Sequence, residues 1–205
     1  MQLTSLQYDT IKEVINIGVG RAAGILNKMF TYRIKLEVPS INLLSSEKLI
    51  MELDDGLYES ISSVNLSFNG DFSGLAKLIF PTESASKLVT AFTEEETDEE
   101  DLDEIRSATL AEIGNIVLNS LMGSIGNSLA LRVNYSTPIY IEDRIEQLLN
   151  LKKAQVEPYS LLAKTRFHIE KLNISGNLVL LFEIGSLDRF ILLIDHFIKT
   201  IEEDA

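Results

Sequence analysis

The spacing of apolar residues changes period along the chain, and each change marks an element. From Thr4 to about Phe30, Ile11, Val14, Ile15, Ile25, Leu26 and Met29 recur at helical spacing and predict a core face. Thr4-x-x-Gln7 ahead of them has capping-box form, because a Thr hydroxyl can accept from a backbone N–H that the first turn leaves unpaired. Gly18 and Gly20 each lower helix propensity by about 1 kcal/mol relative to Ala. The small residues Gly18, Gly20, Ala22, Ala23 and Gly24 predict close packing against another backbone. Tyr32 to Val38 alternates with period two and predicts a strand ending at Pro39. Residues 57–67 and 71–80 read as two further strands, with Asn69-Gly70 as the hairpin turn because both residues tolerate positive φ. Pro81-Thr82 then opens a helix through about Phe92.

The order recurs in the second half. A helix is predicted from about Leu102 to Gly126, a strand from Leu129 to Tyr135 ending near Pro138, and a short helix from Ile141 to Leu151. Strands at about 157–170 and 173–184 precede a helix from Ser186 to about Ile201. Each half therefore reads helix, strand, connector, strand, strand, helix. The pattern predicts an α+β fold built as a pseudo-twofold repeat, an antiparallel sheet carrying long helices. It predicts one domain over residues 1–205, with halves 1–93 and 105–205 joined by an acidic linker at 94–104.

The two halves also share a polar signature. Glu13 is followed three residues later by Asn16, then by 22 residues and Pro39, and Glu112, Asn115 and Pro138 repeat these spacings at a constant offset of 99 without a gap. One Glu-x-x-Asn means little, but two in register with a distant Pro mark an internal repeat. On a helix, positions i, i+4 and i+7 lie along one stripe and i+3 is a neighbour. Asp9, Glu13 and Asn16 therefore share a face, as do Glu112 and Asn115. In the second copy Ala108 takes the place of Asp9, and Ser107 points away from the stripe. The bland reading of such a face is a solvated helix surface; repetition in register argues against it.

Composition narrows the chemistry. The 205 residues carry a net charge of −13, but Glu94 to Glu104 alone holds nine acids and no base, which leaves −4 elsewhere. Such a block reads as a solvated linker, with a docking arm for a basic partner as the sharper alternative. No basic patch is visible to meet nucleic-acid phosphates. The chain has no cysteine, so it has no disulfide and no thiolate metal ligand. No apolar run approaches a membrane span, and Met1 to Gln7 lacks the pattern of a secretory signal. A cytoplasmic protein without membrane insertion is the expectation. His168 and His196 are isolated and read as structural or surface residues. No H-E-x-x-H, P-loop or Rossmann motif is present.

The repeat resembles the CheC/CheX/FliY group of chemotaxis phosphatases, whose pattern is Asp/Ser-x3-Glu-x2-Asn-x22-Pro in one or two copies. The first copy matches at Asp9, Glu13, Asn16 and Pro39, the second at Glu112, Asn115 and Pro138. Asn16-Ile-Gly-Val-Gly-Arg-Ala-Ala and Glu112-Ile-Gly-Asn-Ile follow the family wording, with departures at Val14, Ile15 and Arg21. The resemblance implies a continuous sheet of about six strands. It implies hydrolysis of the aspartyl phosphate on a phosphorylated CheY-type response regulator. Asn16 and Asn115 would each orient a water, by analogy with the Gln of GTPases. Glu13 and Glu112 would each pair with the regulator's Lys. Asp9 would support the first site, and Pro39 and Pro138 would shape the adjacent strand ends. The chain needs no metal or cofactor of its own in this reading, with Mg²⁺ expected on the regulator. The resemblance further implies binding of the deamidase CheD near the short helix after the second Pro, where Asp143 fits by position, and a monomeric chain. The second site is expected to be the stronger, because Val14 and Ile15 lie between Glu13 and Asn16. The rival reading is a non-catalytic module of the same fold, either a CheD-regulating adaptor or a switch component resembling FliM. FliM middle domains lack the paired Glu/Asn sites and continue into a further domain, whereas this chain ends at Ala205.

Overall fold

The computed structural model describes residues 2–30, 33–53, 61–92, 102–149, 156–169 and 172–203. In chain order its elements are α1 (Ser5–Met29), β1 (Ile34–Ser45), α2 (Ser46–Leu53), β2 (Ile61–Gly70), β3 (Gly74–Pro81) and α3 (Thr82–Phe92). They continue with α4 (Leu102–Ser128), β4 (Val133–Tyr135), β5 (Ile139–Asp143), α5 (Ile145–Leu149), β6 (Val156–Ile169), β7 (Leu172–Glu183) and α6 (Ser186–Glu203). The predicted antiparallel sheet with helices is present, with seven strands among the described residues rather than six, in the order β1-β6-β7-β3-β2-β4, and β5 also pairs with β2. Exchanging the first-half strands for their second-half counterparts reverses this order onto itself, with the β3–β7 pair at the centre. The seventh strand arises because the counterpart of β1 is broken at Ser136–Pro138 into β4 and β5.

Thr4 caps α1 as its spacing predicts: Gln7 N donates to the Thr4 hydroxyl, and Gln7 Oε1 accepts from Thr4 N. The buried face of α1 is Ile11, Val14, Ile15, Gly18, Val19, Ala22, Ala23 and Leu26. Ile25 and Met29 are exposed, contrary to the predicted core face. The small residues Ala22 and Ala23 take the inward positions there. Gly18 lies against α4, where an added Cβ would stand 2.8 Å from the Leu121 Cα. The main core fills the space between the sheet and α1, α3, α4 and α6. A smaller cluster on the other sheet face joins Leu49 of α2 and Ile145 and Leu149 of α5 to Ile61, Ile79, Leu162, Val179 and Leu181.

Three sequence expectations are corrected. β1 does not end at Pro39 but runs through it, because it is an edge strand with a bulge there. Glu37 pairs with Arg166 and Ser40 with Lys164, so Val38 and Pro39 together face Thr165 alone. A Pro without an N–H is tolerated at such a place. The bulge also switches the inward set from Ile34, Leu36 and Val38 to Ile41 and Leu43. Asn69-Gly70 begins the β2–β3 connection, with Gly70 at positive φ, but is not a two-residue turn by itself. Phe68 pairs with Gly74, and Asn69 and Gly70 extend β2 to pair with Asn134 and Val133 of β4. Ile141 is in a strand, not a helix: its register opposite Ser63 holds it in β5, and α5 starts only at Ile145. Most of the predicted linker, residues 94–101, lies outside the described residues, while Leu102, Asp103 and Glu104 begin α4.

Beside the sheet centre, Lys77 of β3 is 5% exposed. Its ammonium donates to Asn65 Oδ1 at 2.9 Å, and burial lowers its pKa to about 8.

Candidate functional site

The helical faces carrying Glu13/Asn16 and Glu112/Asn115 point away from the core because their neighbours do not. Val14 and Ile15 are 4% and 2% exposed, and Ile113 is fully buried. These residues drive each helix onto the protein and turn the intervening Glu outward. Glu13 and Glu112 are exposed; Asn16 and Asn115 are half-buried. Val14 and Ile15 therefore face inward, and they do not crowd the first pair. Gly114 also faces inward, where an added Cβ would come within 2.5–2.6 Å of three Val64 side-chain atoms. Asp9 and Ala108 are exposed one turn before the respective Glu. The Ser107 hydroxyl donates to the Glu104 carbonyl, so it is engaged along its own helix.

The two amides are held differently. Asn16 Oδ1 accepts from the backbone N–H of Val38 at 3.2 Å. Val38 sits in the bulge beside Pro39, where the ladder with β6 is interrupted. The bulge turns one strand N–H toward α1, and the Asn side chain receives it. This gives the 22-residue spacing between Asn16 and Pro39 a physical meaning that the sequence alone does not disclose. In the second copy Pro138 is half-buried between β4 and β5. There Asn115 Oδ1 accepts from Asn119 Nδ2, one helical turn on. Sequence reasoning missed Asn119; its i+4 spacing from Asn115 was the available signal.

Other predicted residues are placed as follows. Asp143 is exposed at the end of β5, and its Oδ1 accepts from Arg144 N just ahead of α5. His168, near the end of β6, bonds Asn173 Oδ1 at 2.6 Å and Glu37 Oε2 at 3.3 Å. Lys35, with His168, holds the Glu37 carboxyl below the usual carboxylate range. His196 is exposed on α6. Among the described residues no group of three or more His, Asp or Glu is arranged to hold a metal ion. No described helix is long and apolar enough to cross a membrane. A hollow of about 260 Å³ lies between the start of α1 and the second half of β1, and Glu13, Asn16, Glu112 and Asn115 are not among the residues that line it.

An exposed carboxylate beside an anchored amide is not a Ser-type nucleophile system. It can pair with a cation and orient a polar ligand brought by another molecule.

The family model for the chemotaxis phosphatase CheX matches residues 62–157, which include Glu112, Asn115 and Pro138. The CheY-P phosphatase CheC of Bacillus subtilis is 30% identical over 135 residues, and that alignment spans 64% of each chain. Thermotoga maritima FliY superposes with a TM-score of 0.72 at 18% identity, covering 96% of this chain and 100% of that one. The FliM middle domain of H. pylori gives 0.63 at 10% identity, covering 93% and 99%. A CheX–CheY–BeF3–Mg complex from Borrelia burgdorferi gives 0.55 at 18% identity, covering 84% and 99%. The family model and the CheC relative liken this chain to chemotaxis phosphatases, and FliY shares its fold.

Proposed function

We propose that the protein hydrolyses the aspartyl phosphate of a phosphorylated CheY-type response regulator, with two Glu/Asn sites. The observation that carries this reading is the pairing itself. Each half presents an exposed carboxylate next to a half-buried amide whose oxygen is already bonded. A regulator would bring the phosphoryl group, a Mg²⁺ that neutralises its charge, and a Lys. Hydrolysis then mainly requires a water held in line with phosphorus, and positioning of that kind supplies a large share of catalysis. A neutral amide suits the task because it adds no negative charge beside the phosphoryl oxygens. Asn16 and Asn115 orient the water; Glu13 and Glu112 pair with the regulator's Lys and set docking register. Asp9 supports the first site. Pro39 acts through the bulge that supplies the Val38 N–H, and Pro138 shapes the β4–β5 break.

The fold is also that of FliM middle domains, which supports a second reading, a binding module without catalysis. Docking of a CheD deamidase on the α5 side, with Asp143 at the contact, belongs to either reading. Phosphate release from a phosphorylated regulator with Mg²⁺ separates them. The phosphatase reading expects release well above the regulator's own rate. Release no faster than the regulator alone leaves the binding module.

A further inference from the structure

We infer that Asn119 is a positioning residue of the second Glu/Asn pair, doing with its side chain for Asn115 what the Val38 backbone does for Asn16. The kinetic side of this inference rests on the phosphatase reading; the anchoring itself does not.

The argument starts from the two ends of an amide. One end accepts and the other donates. A backbone N–H can only donate, so Asn16 must turn Oδ1 toward Val38 and leave its NH2 to face a ligand. In the second copy the matching strand is interrupted, with β4 ending at Tyr135 and β5 resuming at Ile139. Asn115 takes its donor from its own helix instead, from Asn119 Nδ2. The residue corresponding to Asn119 in the first copy is Gly20, which has no side chain to donate. The two copies thus tie down the same amide oxygen by different anchors, and each leaves its NH2 free of that bond.

The arrangement has a cost that marks it. Asn119 Oδ1 is buried and has no hydrogen-bond partner among the described residues, and a buried acceptor left unsatisfied is unfavourable. Turning both amides over would let Asn115 donate to that oxygen. It would also present the Asn115 carbonyl to the ligand, the opposite of what Val38 imposes on Asn16. The sense found is the one that makes the two sites alike. The bland alternative is an ordinary i, i+4 amide pair on a helix, of no consequence for the ligand.

The test uses the full chain carrying Asn16→Ala, so that only the second site turns over. Adding Asn119→Ala is expected to lower kcat about tenfold with KM changed less than twofold. Asn119→Asp fills the same volume but replaces the donor with an acceptor, and it is expected to lower kcat at least as much. A packing role predicts that Asp rescues the loss; Asp behaving as wild type, or kcat unmoved by Ala, overturns the inference. Independently of any turnover, the Asn119 side-chain NH2 resonances are expected to shift when Asn115 is changed to Ala. Unshifted resonances overturn the anchoring. If the wild-type chain shows no turnover at all, the phosphatase reading falls while the NMR result still decides whether Asn119 anchors Asn115.

Discussion

Single residues in this chain carry more than their exposure suggests. Asn16 looks from the sequence like a surface amide that can be removed at little cost. Its oxygen, however, receives the N–H of Val38, which is 2% exposed. Asn16→Ala leaves that N–H unpaired, and a buried donor without a partner costs about 1–3 kcal/mol. Asn115→Ala removes only a side-chain partner and is expected to cost under about 1 kcal/mol. Urea unfolding of the two variants checks the difference. Lys77 offers a second prediction. Its pKa is lowered to about 8 from the ordinary 10.5, so between these values the unfolded chain binds more protons than the folded one. Stability from this group therefore rises from pH 8 to pH 10.5, and the full penalty of a buried ammonium applies below pH 8. Lys77→Met keeps the volume, and Ser63 Oγ still donates to Asn65 Oδ1. It is expected to stabilise the protein by about 1–3 kcal/mol at pH 7. The gain should shrink toward pH 10, as read from unfolding midpoints of both chains across that range. Nothing in the sequence marks Lys77, since one Lys among apolar strand residues is as consistent with an edge as with the sheet centre.

At the scale of elements, the helices and most strands were legible because their signals are local. The capping box at Thr4, the Pro81-Thr82 start and the period-two stretches each act over a few residues. What was not legible depends on neighbours far along the chain. Pro39 read as a stop, and only its place on an edge strand opposite Thr165 lets it sit inside β1. Asn69-Gly70 read as a turn, and only β4 alongside draws it into the sheet. The glycines show the same limit. Gly18 and Gly20 are alike in sequence, yet a Cβ at Gly18 would meet the α4 backbone, while one at Gly20 would meet nothing within 4 Å. Gly18→Ala must push α1 from α4, at about 1–3 kcal/mol. Gly20→Ala is expected to stabilise α1 by up to about 1 kcal/mol. Opposite shifts in melting temperature bear this out; a Gly18→Ala chain that melts no lower than wild type would mean that the α1–α4 spacing is slack. Gly114 belongs with Gly18, because the Val64 side chain fills the space a Cβ would need.

The whole molecule repeats its plan, and the repeat decides how its two sites should behave. Strand order reads alike from either end, and each Glu/Asn pair stands on its own half's first helix. The sequence disclosed both pairs but not how each amide is held, because Val38 and Asn119 carry no motif of their own. Separate helices argue for separate sites. Asn16→Ala and Asn115→Ala should each leave part of the phosphate release, and the double variant should fall to the regulator's own rate. Complete loss from either single change would mean that the sites act only together. Which site is the stronger follows from the anchors. The sequence favoured the second site, on the ground that Val14 and Ile15 would disturb the first. Both side chains are buried away from the Glu13–Asn16 face, so that ground is removed. The first amide is held by a strand backbone fixed in a seven-stranded sheet, whereas the second is held by a side chain with rotamer freedom of its own. The first pair also keeps Asp9 where the second has Ala108. Loosening an orienting group by part of an ångström can cost far more rate than binding. We therefore expect the Asn115→Ala chain, which retains the first site, to keep the larger kcat of the two single variants, by about threefold or more. Steady-state release at saturating regulator measures it. A larger kcat in the Asn16→Ala chain would show that anchoring to the strand is not what sets the rate.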